Sequence, residues 1–325
     1  MSEEGHVYFH SPCFDGIASA VLVQEFLESR HFWAHSILRP VNYDLRDTWL
    51  ATPLETPAAV VDFLYHPDAT FWADHHITTF LDDAARSDFQ RRRGPGLVYD
   101  ESAGSCARLL QRHLEAEFRH RNERHEELVR WAEKTDAARY DSPREAVLGT
   151  APAQRINLSL VFGGEGAYCE RLVEALHGSN LEDVANLPEV EAKYKRARGL
   201  IRSGLDRFKQ VARVEPDGIV VFDVDGSNTI VSRYAPYYYF PEARYSVGIV
   251  RSENGAKVTA MRNPWMEFES VPLGMICEAL GGGGHRRVGS IALDKAGTSR
   301  AAEILDRLIE GIRRGESDHA HSRSA

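Results

Sequence analysis

Short apolar runs that stop at an acidic or imidazole side chain recur through the N-terminal part of this chain, and they constrain its fold more than any other feature. Val7-Tyr-Phe ends at His10, Ala58-Ala-Val-Val ends at Asp62, and Thr70-Phe-Trp-Ala ends at Asp74-His75-His76. Asp15 follows His10 within a few residues, across Ser-Pro-Cys13-Phe. Each run has the length of a strand. From Gly16 to Leu27 the apolar residues instead recur at spacings of three and four, which is helical. Ile37-Leu-Arg-Pro-Val and Leu97-Val-Tyr-Asp100 read as further strands, and residues 105–117 and 123–134 as helices. Strands alternating with helices predict an α/β domain with a parallel sheet. In such a sheet ligands collect at the carboxyl edge, which is where these polar residues fall.

The pattern changes further along. Residues 152–210 are helical and charged, and a strand-rich region begins at Gly218-Ile-Val-Val-Phe. It continues through Tyr245-Ser-Val-Gly-Ile-Val-Arg and Ala256-Lys-Val-Thr-Ala-Met-Arg. A helix over 271–280 then runs into Gly281-Gly-Gly-Gly-His285. A chain of 325 residues favours two domains. The expected organisation is a first domain over 1–150, a helical connector over 151–212, a smaller mixed α/β domain over 213–314 and a disordered tail over 315–325. Tyr237-Tyr-Tyr-Phe240 is expected as a packed aromatic strand, and Ser102 or Ser105 as a helix N-cap.

Composition narrows the partners. The formal net charge is −9, whereas a protein that grips long duplex DNA needs a basic footprint. Arg91-Arg92-Arg93 and the Arg119–Arg124 stretch are local exceptions, expected as a solvated loop and a solvated helix face. No run of 18 or more apolar residues is present, so no membrane span is expected. The acidic start is not expected to be a signal or transit peptide. Four scattered cysteines without a CxxC pair fit a reduced, cytoplasmic protein. A homodimer is left open.

Oxygen ligands with a minority of imidazoles suit Mn²⁺ or Mg²⁺. Any one of His10, Asp15, Asp62, Asp74 and His75 is ordinary as a loop or capping residue. Five at the strand ends of one domain point to a shared task. Carboxylates crowded there would repel one another without cations, and two ions about 3.5–4 Å apart can clamp a phosphate and activate water.

These residues carry a resemblance. Residues 10–20, Asp62 within Val60-Val-Asp-Phe, and Ala73-Asp-His-His76 resemble the first three motifs of the DHH phosphoesterases. Gly281-Gly-Gly-Gly-His-Arg-Arg287 resembles the glycine-rich signature of the DHH-associated domain, and Asp136 in Lys134-Thr-Asp-Ala-Ala-Arg resembles the fourth motif. The resemblance implies two Mn²⁺ ions, with Mg²⁺, Zn²⁺ or Fe²⁺ as alternatives. His10 and Asp62 would hold one, and Asp15, Asp62, His75 and Asp136 the other. It implies that Asp74 orients the ligands and that His76 faces the substrate phosphate. It assigns substrate contacts to Gly282, Gly283, Gly284, His285, Arg286 and Arg287, and to Arg251-Ser252.

Cys13 departs from the family pattern, which usually has Asp there. It is read as a thiolate ligand favouring a softer metal, as the mark of a weak or empty site, or as a small packed side chain. The expected function is hydrolysis of phosphoester bonds in small nucleotides or short oligonucleotides. A RecJ-type single-strand exonuclease, or a nucleotide-binding or sensing protein with an impaired metal site, are the alternatives.

Overall fold

Two sheets organise the chain. The structure is a computed structural model that describes residues 3–164 and 166–322. It divides into two compact units, one of Met1–Tyr140 and Thr150–Ala197, the other of Asp141–Gly149 and Arg198–Ala325.

The first unit opens with β1 (Glu3–His10), α1 (Phe14–Ser29) and β2 (Trp33–Val41). Then come β3 (Ala58–Val61), β4 (Phe71–Asp74), α2 (Asp83–Arg92), β5 (Leu97–Tyr99), α3 (Cys106–Phe118) and α4 (Glu126–Asp136). The sheet order is β2-β1-β3-β4-β5, and every pairing is parallel. Successive side chains enter different cores, as the period of a strand requires. Val7, Phe9, Ala59, Val61, Phe71 and Ala73 join one buried cluster. Tyr8, Ala58, Val60 and Trp72 join another. A sheet buried on both faces needs unbroken apolar runs, which explains why these strands do not alternate with polar residues.

The next helix, α5 (Pro143–Leu148), belongs to the second unit. The segment expected as a connector over 151–212 is divided. Its helices α6 (Pro152–Ser159), α7 (Gly166–Gly178) and α8 (Leu181–Ala185) bury Ile156, Tyr168, Leu172 and Val184 in the same core as α1 and α3. Their apolar faces make them part of the first unit. The long α9 (Pro188–Val211) contributes to both units.

The second unit holds β6 (Arg213–Val214), β7 (Ile219–Asp225), α10 (Ala235–Tyr239), β8 (Tyr245–Ser252) and β9 (Gly255–Arg262). It closes with α11 (Leu273–Glu278), β10 (Gly283–His285), β11 (Val288–Asp294) and α12 (Ala301–Ser322). The order is β10-β11-β9-β8-β7-β6, antiparallel except for β7 with β8. Leu273 of α11 and Ile304, Leu308 and Ile312 of α12 pack with Val221, Val247, Ile249 and Val258 of the sheet.

Four expectations are corrected. The aromatic run at 237–240 is largely helical, because Pro236 starts α10 and Tyr237 donates its hydroxyl to the Met261 carbonyl at 2.6 Å. Arg91 and Arg92 lie in the last turn of α2, where Arg92 donates to the Ala69 carbonyl at 2.6 Å and the Tyr65 hydroxyl at 3.2 Å. Arg119 takes a left-handed conformation that ends α3, so the following basic stretch is a loop and a short 3₁₀ turn, not a helix face. The tail expected to be disordered from residue 315 continues α12 to Ser322. Glu316 anchors it by pairing with Arg244 at 2.7 Å and accepting from the Tyr245 hydroxyl. Residues 323–325 lie outside the described part. Among the described residues no helix is long and apolar enough to cross a membrane.

Candidate metal centre

The carboxyl edge of the first sheet gathers the polar side chains. His10 is the last residue of β1, Asp74 the last of β4, and Asp62 directly follows β3. Cys13 is the N-cap of α1 and Asp15 lies in its first turn. A Cβ on Gly16 would stand 2.1 Å from the His10 carbonyl oxygen, so only glycine lets the helix start this close to the strand end. Asp62 has φ +56°, a left-handed conformation that Asp tolerates better than most residues. Two buried indoles fix the chain after it. Trp72 Nε1 donates to the Phe63 carbonyl at 3.0 Å, and Trp49 Nε1 to the Leu64 and Tyr65 carbonyls at 3.1 and 3.2 Å.

His75 lies at the centre of the carboxylates. Its Nδ1 lies 3.1 Å from the Ala103 carbonyl, which can accept only from an N–H. A hydrogen is thereby placed on Nδ1, and Nε2 faces Asp136 Oδ2 at 3.4 Å and Asp15 Oδ2 and Asp62 Oδ1 at 3.7 Å each. Asp15 is steered by the N-terminus of α3, accepting from the Cys106 and Ala107 amides at 2.6 and 3.0 Å. Ser105 caps that helix through the Arg108 amide at 3.1 Å. Asp74 Oδ1 accepts from the His75 amide and pairs with His76 Nδ1, both at 2.8 Å. His10 Nδ1 lies 3.3 Å from Asp62 Oδ2.

Electrostatics make this arrangement costly without a cation. Burial, then the charges of Asp15, Asp74 and Asp136, push the Asp62 carboxyl well above its usual range. Burial and the charge of Asp136 push Asp15 up to about 6. Burial, then Asp62, Asp15 and Asp136, raise the Cys13 thiol. Burial and the neighbouring His76 bring His10 down to about 4, so it presents a neutral imidazole. Burial also depresses His76, but the hydrogen bond and charge of Asp74 outweigh it and leave the group above its ordinary value.

The residues fit a metal pair. Ligand atoms of His10, Cys13 and Asp62 lie within 4.8 Å of one another, as do those of Asp15, His75 and Asp136, and those of Asp62, Asp74, His75 and His76. Asp62 Oδ1, Asp74 Oδ2 and His75 Nε2 are buried without a hydrogen-bond partner. A buried polar atom left unpaired is expensive, and a cation held by Asp62 and His75 would satisfy two of the three. Sequence reasoning missed Tyr43, whose ring meets His10 edge-on at 4.9 Å and His76 at 6.4 Å between centroids. Its place just past the strand at 37–41 was the available signal. The Ala103 carbonyl left no signal, since any residue supplies one.

The residues expected to grip substrate lie in the second unit and are not brought together. Gly283 and Gly284 belong to β10, paired with β11, so that Arg286 and Arg287 form the exposed tip of a two-residue hairpin. The His285 side chain lies outside the described part. Gly284 has φ +149°, and a Cβ there would stand 2.3 Å from the Val288 carbonyl oxygen. Val288 pairs with Met261, and Met261 with Ser246. Arg251 is five residues further along β8, about 17 Å at the rise of a strand. Its Nε and Nη2 donate to Asp223 Oδ1 and Oδ2 at 2.7 and 2.6 Å. Arg251-Ser252 and Arg286-Arg287 therefore occupy opposite ends of the second sheet.

No protein-family model matches the chain. No curated protein matches it either. Solved structures do. A pGpG-specific phosphodiesterase, PggH from Vibrio cholerae, matches with a TM-score of 0.72 and 18% identity, over 96% of this chain and 99% of its own. A DHH domain from a member of a ribosomal protein family matches at 0.58 and 14%, over 95% of this chain and 86% of its own. RecJ from Thermus thermophilus, solved in complex with Mn²⁺, matches at 0.57 and 14%, over 96% of this chain and 52% of its own. The chain thus has the fold shared by these DHH-type proteins, with a parallel sheet followed by a mixed one.

Proposed function

We propose that the chain is a metal-dependent phosphoesterase that hydrolyses phosphoester bonds in small nucleotides or short oligonucleotides. The observation that carries the reading is the shared position of Asp62 and His75, each common to two overlapping groups of ligand atoms at one sheet edge. His10, Cys13 and Asp62 would hold one divalent ion, and Asp15, Asp62, His75 and Asp136 a second. Two Mn²⁺ ions there would lower the pKa of a water and neutralise phosphate charge. Asp74 orients His75 and His76 through its Oδ1 contacts. With Nδ1 of His76 tied to Asp74, Nε2 is left to face the phosphate. As water oxygen bonds to phosphorus and the P–O bond to the leaving group breaks, His76 can give its proton to the departing oxygen.

A short substrate fits the charge. The net charge of −9 offers no track for a long backbone, and Arg286 and Arg287 suit one to a few phosphates. The fold likeness to a pGpG-specific phosphodiesterase supports the same end of the range. All four cysteines are free, which goes with a reducing, cytoplasmic setting.

The test is a screen of the Mn²⁺-loaded protein against linear and cyclic dinucleotides, pAp-like nucleotides, pyrophosphate and a long single strand. Hydrolysis should be fastest on the short nucleotides and depend weakly on salt. Efficient, salt-sensitive degradation of the long strand would favour an exonuclease. Bound metal without hydrolysis of any phosphoester would overturn the enzymatic reading.

A further inference from the structure

Tyr43 stands at the same edge as the metal ligands. Val41 is opposite His10 in the β1–β2 register, so a residue two places beyond β2 emerges beside the end of β1. A 3₁₀ turn at Tyr43–Leu45 fixes the backbone, capped by the Asn42 side chain, which accepts from the Asp44 amide at 2.7 Å. The ring is wedged against three others. It meets His10 at 4.9 Å, Phe63 at 5.2 Å and His76 at 6.4 Å between centroids. Phe63 is backed in turn by the buried Trp49 at 4.9 Å. The rings of Tyr43, His10 and His76 form a triangle, with His10 and His76 6.4 Å apart, so Tyr43 flanks both an imidazole of the ligand set and the imidazole that Asp74 orients.

Its hydroxyl is not used by the protein. Four other shielded tyrosines spend theirs on a protein partner. Tyr8 accepts from the Glu55 amide, Tyr65 donates to Asp88, Tyr99 to the His76 carbonyl and Tyr237 to the Met261 carbonyl. Tyr43 is half-buried, and its hydroxyl has no hydrogen-bond partner among the described residues. That oxygen is not among the buried unpartnered atoms, so it stays open to solvent and to an incoming ligand. A neutral phenol held in place beside a cluster of carboxylates and imidazoles can donate to an incoming anion. It would do so without adding a charge that competes with the metals.

We propose that Tyr43 contacts the substrate, donating its phenolic hydrogen to a non-bridging oxygen of the phosphate undergoing hydrolysis. The inference rests on the phosphoesterase reading. Donors aimed at oxygens that gain charge in the transition state act on kcat more than on ground-state binding.

Tyr43→Phe removes only the hydroxyl and keeps the wedge, and Tyr43→Ala removes both. Wild type and both variants are to be compared, loaded with Mn²⁺, for hydrolysis of a short dinucleotide, for metal content by mass spectrometry and for melting temperature. Tyr43→Phe should keep wild-type metal content and melting temperature while losing about ten- to a hundredfold in kcat/KM, mostly through kcat. Wild-type kinetics in Tyr43→Phe, with a defect in Tyr43→Ala alone, would reduce Tyr43 to packing and overturn the proposal. Loss of metal in Tyr43→Phe would also overturn it, making the residue a support of the ligands. A wild-type protein that holds its metals and cleaves nothing would instead remove the phosphoesterase reading on which the proposal stands.

Discussion

Asp62 Oδ1 lies 3.7 Å from His75 Nε2, both atoms are buried, and neither has a hydrogen-bond partner. No described residue pairs either atom, so a proton or a cation held between them would satisfy both.

This contact gives Asp62→Asn a double signature. Asn tolerates the left-handed backbone and keeps the shape, but removes the charge. Metal content should fall, and activity should drop by more than about 100-fold, beyond the 10- to 100-fold typical of residues that only support ligands. Metal-free stability should move the other way. The folded Asp62 carboxyl binds its proton more tightly than the unfolded one does. Its contribution to stability is therefore present at low pH and lost as pH rises past the ordinary carboxylate range. At neutral pH the metal-free variant should melt above the metal-free wild type. Equal metal content in the two proteins would show that Asp62 is no ligand.

Cys13 offers a test of ligand chemistry. As a ligand it binds as a thiolate, so metal should protect it from alkylation. Cys13→Asp should shift preference toward Mn²⁺ by replacing the soft sulfur with a hard oxygen donor. Cys13→Ser with full metal content and full activity would leave Cys13 a packed bystander. Mass spectrometry of metal content in the three proteins separates the cases.

The hairpin at Arg286-Arg287 should act on substrate and not on metal. Replacing both by Ala should lower kcat/KM about 10- to 150-fold, the effect of losing a charge-assisted contact of roughly 1.5–3 kcal/mol. Gly284→Ala should differ, costing about 1–3 kcal/mol of stability because the backbone conformation suits glycine alone. Denaturant titration with parallel kinetics separates loss of contact from loss of the hairpin. Unchanged kinetics in the double Ala variant would make the segment a structural turn.

His125 supplies a pH dependence away from the centre. Burial depresses it from 6.5 to about 4, although Glu25 pulls the other way. The folded state thus binds the proton less tightly than the unfolded chain does. The stability contributed by His125 is full above about pH 6.5 and is lost as pH falls toward 4. His125→Gln should flatten the fall of melting temperature across that interval. An unchanged slope would assign the acid sensitivity elsewhere.

The centre was legible because its ligands end short apolar runs, and a parallel sheet brings strand ends together whatever the loops do. His10, Asp62, Asp74 and His75 needed only that rule. Tyr43 and the Ala103 carbonyl did not follow from it, since their roles depend on loop geometry that no periodicity encodes. Register was equally hidden: Arg251 and Arg287 read as one gripping set, and only the strand pairings reveal the length of a strand between them. Tyr237-Tyr-Tyr misled because aromatic residues favour strands until a proline sets a helical start, as Pro236 does in α10.

The left-handed backbone at Asp62 sets folding against chemistry at one position. Trp49 and Trp72 hold the carbonyls that follow it, so the fold asks residue 62 for a positive φ. Glycine would sit there without strain and without a buried charge. A library selected for thermal endurance alone should therefore drift toward Asp62→Gly, and that change would trade away the carboxylate shared by two of the ligand groups.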